Sequence, residues 1–413
     1  MSTAPPRTGG DRTFAFLSDP YRFISRRAAR LSAPVFETRL LLRPTLCMVG
    51  SEAAELFYDE ALFQRQGAAP EPVLATLFGR GGVQTLDGVP HRLRKAFFIE
   101  LLQPPTLAAL GRAVALGWQD RLRSAPPGGR LPLYETAQQV LADAVCAWAG
   151  LPADPSSAPQ RAGQLAALFD SAAGGPMRHL RARRARQALE AWLQQQINAV
   201  RAGRHAAPTG CALDRIARLA DPEGRVLPAR QAATELLNIL RPVTAISVYL
   251  VLAAHALLGL PSMLPRLLGG DPADMRHFIN EVRRYYPFFP VLMARVRQDF
   301  EWKGVRFAAG RRTLLEIYGT HHDPGVWTQP ERFDPARFAR GEPPRFGFLP
   351  QGGGDVRLHH RCPGEDTVLT LTAASLDVLL TTCALERAGR DGRIDFGRLP
   401  AQPRASIWLS PLA

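Results

Sequence analysis

The sequence predicts a mainly α fold with a smaller β-rich part, in one large domain spanning residues 1–413. Three observations carry this. The chain is 46% hydrophobic and 21% charged, which supplies a large core and argues against global disorder. Residues 91–259 read as largely helical, whereas residues near 35–50, 290–320 and 390–410 have strand character. No internal repeat and no long Pro/Ser linker divides the chain. Length alone would also allow two or three domains.

Taken in order, the N-terminal "MSTAPPRTGGDRTFAFLSDPYRF" has no apolar core of signal-peptide length. "ETRLLLRPTLCMVG" reads as strand. "SEAAELFYDEALFQ" reads as a helix capped by Ser51, with Glu52 and Glu55 near its first turn, where negative charge suits the dipole. Loops fall at "SAPPGGR" and "RAGRHAAPTG". "ELLNILRPVTAISVYLVLAAHAL", residues 235–257, reads as one apolar helix with Arg241 and Pro242 in its middle. Proline inside a helix costs roughly 3 kcal/mol. A buried guanidinium cannot shed its charge and needs a partner. The run reaches the roughly 20 residues of a membrane span. Asn238, Arg241, Pro242, Thr244, Ser247 and His255 interrupt it, so a central helix of a large soluble protein is expected. A helix over 271–286 should stop at Pro287, followed by strands and turns through "PVLMARVRQDFEWKGVRFAAGRRTLLEIYG". A Gly-rich loop, residues 351–354, precedes Cys362 and a last long helix from about Glu365. "RIDF" and "ASIWL" close the chain as strand-like pieces.

The net charge is +14, yet no zinc-finger, basic-zipper or RNA-recognition pattern accompanies it, so no nucleic-acid partner is expected. The densest basic stretch, "MRHLRARRARQALEAW", reads as a solvated helix face. The alternative is attraction to an anionic surface or a carboxylate substrate, which leaves at most peripheral membrane contact. The five cysteines are scattered and form no CxxC pair, which points to a reducing cytoplasm rather than a disulfide framework.

Chemistry concentrates in "FGFLPQGGGDVRLHHRCPGEDTVLTL". A thiolate at a helix entrance gains from the dipole and from unpaired N–H groups, which lower its pKa. Glycines let the backbone lie flat against a broad partner, the geometry that a cysteine-bound planar cofactor needs. Taken alone, the loop fits a free cysteine equally well. Upstream, "EVRRYYP" places Glu281 and Arg284 on one helix face, and Arg337 in "QPERFDPARF" could join them in a buried network.

A helical E-x-x-R, a P-x-x-F-x-P-x-R-F segment (residues 330–338) and a Gly-rich cysteine loop, in this order, resemble the cytochrome P-450 superfamily. The resemblance implies the cytochrome P-450 fold, heme b with Cys362 as axial thiolate ligand to the iron, and a structural network of Glu281, Arg284 and Arg337. Phe348 lies fourteen residues before Cys362, a longer spacing than the usual seven. That length resembles the bacterial fatty-acid peroxygenase branch, most of all its alpha-hydroxylating members, although His359 stands where the branch commonly has glycine.

Oxygen-using members carry an acid–alcohol pair in the central helix. Here "NILRPVTAIS" has no carboxylate. The resemblance implies that the substrate's own carboxylate pairs with Arg241 and serves as acid and base on hydrogen peroxide. Pro242 would shape the helix, opening it where the head group enters, and Gln84 would line the reaction site. Phe78, Phe288 and Phe289 would line the substrate path. His91, Lys95 and Arg65 would contact the heme propionates. The expected activity is peroxide-dependent hydroxylation of long-chain fatty acids at the alpha carbon, without a redox partner. Its rivals are beta-hydroxylation, decarboxylation to terminal alkenes, conventional monooxygenation and a non-catalytic heme carrier or sensor.

Overall fold

The computed structural model describes residues 5–126, 128–171 and 175–412. Its largest sheet has six strands, in the spatial order Arg7–Asp11, Val35–Leu40, Arg43–Met48, Arg312–Glu316, Val291–Val296 and Phe63–Gln64. The strand-like "ETRLLLRPTLCMVG" is therefore a hairpin, pairing Val35 with Met48 through to Leu40 with Arg43. Its two-residue turn puts Leu41 and Leu42 at φ 52° and 58°. That conformation suits glycine or asparagine, and leucine holds it only with outside support. The Leu41 and Leu42 amides donate to Thr13 Oγ1 at 2.6 Å and Asp11 Oδ2 at 2.7 Å.

The helical part packs around the central apolar stretch. It forms two helices, Ala229–Thr244 and Ile246–Gly259, separated at Ala245. The break lies three residues after Pro242, because a proline removes one donor but lets the following turn bond normally: Ala245 N donates to Arg241 O at 2.9 Å. This run has the length and hydropathy to cross a membrane, but 94% of its most apolar window is buried inside the protein. Its neighbours are Gly175–Arg201, Leu133–Trp148 and the last long helix, Glu365–Thr382. The basic stretch lies on Gly175–Arg201 with Arg178, Arg181, Arg183 and Arg184 exposed, as a solvated face requires, whereas Arg186 is buried.

Two local expectations change. Ser51 is the first helical residue rather than the cap. Gly50 occupies the cap position at φ 97°, and no side chain caps this end. The helix then stops at Phe57, because Asp59 turns the chain toward the strand Phe63–Gln64: its main-chain oxygen accepts from Leu62 and Phe63. The helix Pro272–Tyr285 begins as its sequence promises, with Asp271 accepting from Ala273 N at 2.8 Å.

Glu281, Arg284 and Arg337 meet in the interior. Arg284 makes two 2.8 Å bonds to the Glu281 carboxylate, and Arg337 Nε approaches the same carboxylate at 3.0 Å. Asp334 N adds a fourth donor at 2.7 Å. The remaining guanidinium protons go to carbonyls: Arg284 to His321 O, and Arg337 to Thr328 O and Arg332 O, each at 3.0 Å. Two cations share one carboxylate in a fully buried setting, and this works only because every arm is bonded. His321 extends the network toward the cysteine loop by accepting from Leu349 N at 2.7 Å. Burial holds His321 well below the ordinary histidine range, which keeps that ring nitrogen free to accept. Glu281→Gln should cost about 3–5 kcal/mol by leaving buried arginine charge uncompensated; thermal melting of the purified variant measures it.

Candidate active site

Cys362 sits at the end of the Gly-rich loop, just ahead of the helix Glu365–Thr382. Its amide donates to Gln351 O at 2.9 Å, and Gly364 N points at Sγ at 3.4 Å. Burial nevertheless raises the thiol's pKa, outweighing the Gly364 N–H and the Lys95 charge, while Glu365 opposes ionisation. The expected lowering is thus not a property of the protein alone: a short approach of one N–H does not offset desolvation. Glu365 is itself engaged by Arg283 and by Arg361, the latter at 2.8 Å.

His359 has a specific place in this loop. Its Nδ1 accepts from Asp355 N at 2.8 Å and its own amide donates to Asp355 O at 2.9 Å. The ring lies against Gly354, at φ 81°, where a Cβ would come within 2.6 Å of Nδ1. The histidine closes the extended loop on itself and so fixes its path.

Above the loop, the helix Gly88–Leu101 brings His91 and Lys95 onto its buried side. Lys95 donates to the His359 and Arg361 carbonyls. Its pKa falls to about 8 through burial. The His91 ring stacks on His360 at 3.9 Å, and burial with neighbouring cations pulls its pKa to about 3. Arg65 lies over the Phe57 ring at 4.2 Å, and its charge is felt at His91. Asp87 lies beside this cluster, accepting from Arg65 N and Gln66 N at 2.9 and 2.8 Å. Buried Lys95 and half-buried Arg65, with the neutral His91 ring beside them, fit a flat cofactor that brings carboxylates of its own, next to a single thiol ligand.

The distal side is built by the first half of the central helix and by residues 74–85. Arg241 is buried, and its Nη1 has no partner among the described residues. Burial and the Arg186 charge push its pKa down to about 9. Gln84 lies in the single turn Val83–Thr85, and its Oε1 accepts from Asn238 Nδ2 at 3.2 Å. Asn238 Nδ2 also donates to Glu235 Oε2 at 3.0 Å, and Glu235 Oε1 pairs with Arg94. Phe78 ends a π-helical turn, Leu74–Phe78, that Arg186 clamps through Thr76 O and Leu77 O at 2.9 and 3.2 Å. Phe288 stacks on Tyr249 at 4.7 Å. The Phe289 ring meets Phe288 edge-on at 4.6 Å and stays 36% exposed, so the two rings are not equivalent.

Sequence reading missed Arg94, Glu235, Asn238, Asp87 and His360. Glu235 opened the apolar stretch and was the one signal available: an acid at the head of a buried helix requires a cation from elsewhere. Nothing in the spacing pointed to Arg94, which is 141 residues away.

A family model described as Cytochrome P-450 matches residues 275–367. Among solved structures, Cytochrome P-450SP alpha (CYP152B1), in complex with (R)-ibuprophen, is 42% identical over 97% of this chain and 98% of that one, with a TM-score of 0.94. Cytochrome P-450EX alpha (CYP152N1) with myristic acid is 38% identical over 99% and 98%, with a TM-score of 0.94. Cytochrome P-450 OleT, ligand-free, is 30% identical over 99% of both, with a TM-score of 0.93. Curated relatives match locally: Beta-amyrin 28-monooxygenase CYP716A379 of Saponaria officinalis is 35% identical over 88 residues, covering 21% of this chain and only 17% of that protein. The chain belongs to the cytochrome P-450 family, whose cofactor is heme bound through a thiolate. It is an enzyme of that family and a homologue of the CYP152 fatty-acid peroxygenases, two of whose structures hold carboxylic acids.

Asp87 gives a pH test. Burial raises its carboxyl, but His360 and the Arg65 and Gln66 amides outweigh this and bring it to about 2. Its folded pKa lies below the ordinary 3.8, so its contribution is complete above about pH 4 and is lost as pH falls toward 2. Asp87→Ala should lower stability at neutral pH by about 1–3 kcal/mol and flatten the acid limb of the melting-temperature profile.

Proposed function

We propose that the protein hydroxylates long-chain fatty acids with hydrogen peroxide, at the alpha carbon. The observation that carries this reading is the unpartnered, buried guanidinium of Arg241. Among the described residues no carboxylate is bonded to it, and the one acid of its helix, Glu235, is committed to Arg94 and Asn238. A charged donor held dry needs an anion, and a fatty-acid carboxylate meets it with strong, directional bonds. The apolar chain gains about 0.8 kcal/mol per buried methylene along the path that Phe78 and Phe288 border.

Cys362 is the thiolate ligand in this reading, and Arg65, His91 and Lys95 bond the propionates. Heme bound there supplies the oxidising centre, with the thiolate favouring O–O cleavage. The protein then has three tasks. Arg241 fixes the carboxylate so that the adjacent carbon is presented first. The carboxylate takes a proton from one peroxide oxygen and returns it to the departing oxygen, so that fatty acid and peroxide yield hydroxy acid and water. Gln84 and the apolar rings keep bulk water from this exchange. Pro242 leaves the Asn238 carbonyl without its usual helical donor, which loosens the helix beside the head group. Because hydrogen peroxide already stands two electrons below dioxygen, no electron-transfer partner is needed. Free cysteines at all five positions agree with a cytoplasmic setting.

Myristic acid incubated with hydrogen peroxide and no reductase should give 2-hydroxymyristic acid as the main product, read by mass spectrometry. No oxidised acid across several chain lengths overturns the proposal, and predominant 3-hydroxy acid or terminal alkene overturns the alpha assignment. Arg241→Ala should lower kcat/KM by about a hundredfold or more, as expected when one partner of a buried charge pair is removed. Phe289→Ala should shift the product ratio toward the beta carbon, because the ring next to Phe288 then no longer limits how the acid sits.

A further inference from the structure

The distal helix carries a polar chain that the proposed chemistry does not by itself require. It runs from Arg94 through Glu235 and Asn238 to Gln84. Glu235 is fully buried and Asn238 nearly so, while Arg94 is largely covered and also bonds Gln231 at 3.1 Å. Space for it is reserved: a Cβ on Gly82 would stand 3.0 Å from Asn238 Nδ2 and 3.1 Å from Gln84 Oε1.

The chain has a direction. Arg94 can only donate, so it selects an ionised, accepting Glu235. That carboxylate can only accept, so Asn238 must turn its NH2 group toward it. Both Asn238 amide protons are then used, on Glu235 Oε2 and Gln84 Oε1. Gln84 is left with its own NH2 as its unspent end. Asn238 is left with Oδ1, which is buried and has no partner among the described residues. Three residues on, and so on the same helix face, Arg241 Nη1 is the matching buried donor without a partner. One helix face therefore carries an unpartnered acceptor one turn before an unpartnered donor, and a carboxylate alone does not use an acceptor. A ligand O–H does.

We infer that the Arg94–Glu235 pair is a positioning device that sets the Asn238 amide, so that Asn238 Oδ1 receives an O–H of hydrogen peroxide next to the acid held by Arg241. This rests on the peroxygenase reading. The step moves no atoms: it is a hydrogen bond that orients the co-substrate before the carboxylate takes its proton.

Glu235→Gln tests it by inverting the polarity. Arg94 would hold the new amide's oxygen, its NH2 would face Asn238, and Asn238 would have to turn Oδ1 toward it and NH2 toward Arg241. The KM for hydrogen peroxide should then rise about tenfold or more, the scale of one buried hydrogen bond lost. The fatty-acid dissociation constant, measured by calorimetry without peroxide, should stay within about twofold, since Arg241 is untouched. Arg94→Gln, which removes the charge that orders the chain, should move the same parameter the same way, and it decides the matter if Glu235→Gln does not fold. Unchanged peroxide KM in a folded variant overturns the inference, as does a loss confined to kcat or to fatty-acid affinity. Wild-type enzyme assayed alongside separates the two ideas: if it fails to oxidise fatty acid, the peroxygenase reading has failed; if it turns over and the variants match it, only the positioning role has.

Discussion

A guanidinium buried in an apolar helix is the constraint around which the distal half of this protein is arranged. Arg241 keeps its charge, and its Nη1 has no partner among the described residues. Its nearest charged influences are mixed: Arg186 repels it, while Cys362 and Glu235 attract it from a distance. The fold therefore carries an electrostatic cost that an entering anion would relieve. Such a cost is tolerable when the relief is also the binding energy of a substrate, because specificity then follows directly: a molecule of the same length without a carboxylate would leave the charge uncompensated.

The cysteine side follows the same logic with the opposite emphasis. Lys95, His91 and Arg65 gather where Asp87 is the nearby carboxylate, and Lys95 turns to main-chain carbonyls for its bonds. The Cys362 thiol is held up in pKa by burial, and metal coordination is what deprotonates such a group outright. By contrast, the Glu281, Arg284 and Arg337 cluster is closed within the protein, with each arm assigned to an oxygen. Polar groups completed internally hold the chain in place, and those left incomplete mark where something else belongs.

What was legible in the sequence divides along a similar line. Local, directional signals were readable: the helix that ends before Pro287, the strand character around Leu41-Leu42, the entrance of the helix at Glu365. So was an ordered motif whose chemistry is strict, the Glu281/Arg284 pair. Ser51 misled because a glycine at positive φ can occupy a cap position without any side-chain bond. Arg94, Glu235 and Asn238 escaped notice because amides and acids in a helix carry no spacing rule when their partners arrive from a distant segment. His359 looked like an irregularity in a glycine-rich loop, and its role emerges only from the two bonds that it makes back to Asp355.

The central helix also shows why its own groups cannot serve as the acid–base pair. Thr244 donates its hydroxyl to Leu240 O at 2.9 Å, one turn back, and so spends its proton on the main chain. Glu235 accepts from Arg94 and Asn238 through its two oxygens, so that taking up a proton from the site would break the bonds that keep it ordered. Ser247 is a buried hydroxyl without a partner among the described residues, but it lies beyond the interruption at Ala245. An alcohol with its proton committed and an acid with its lone pairs committed do not make a relay. A carboxylate arriving with the substrate would be free of both commitments, which is what the role proposed for Arg241 requires.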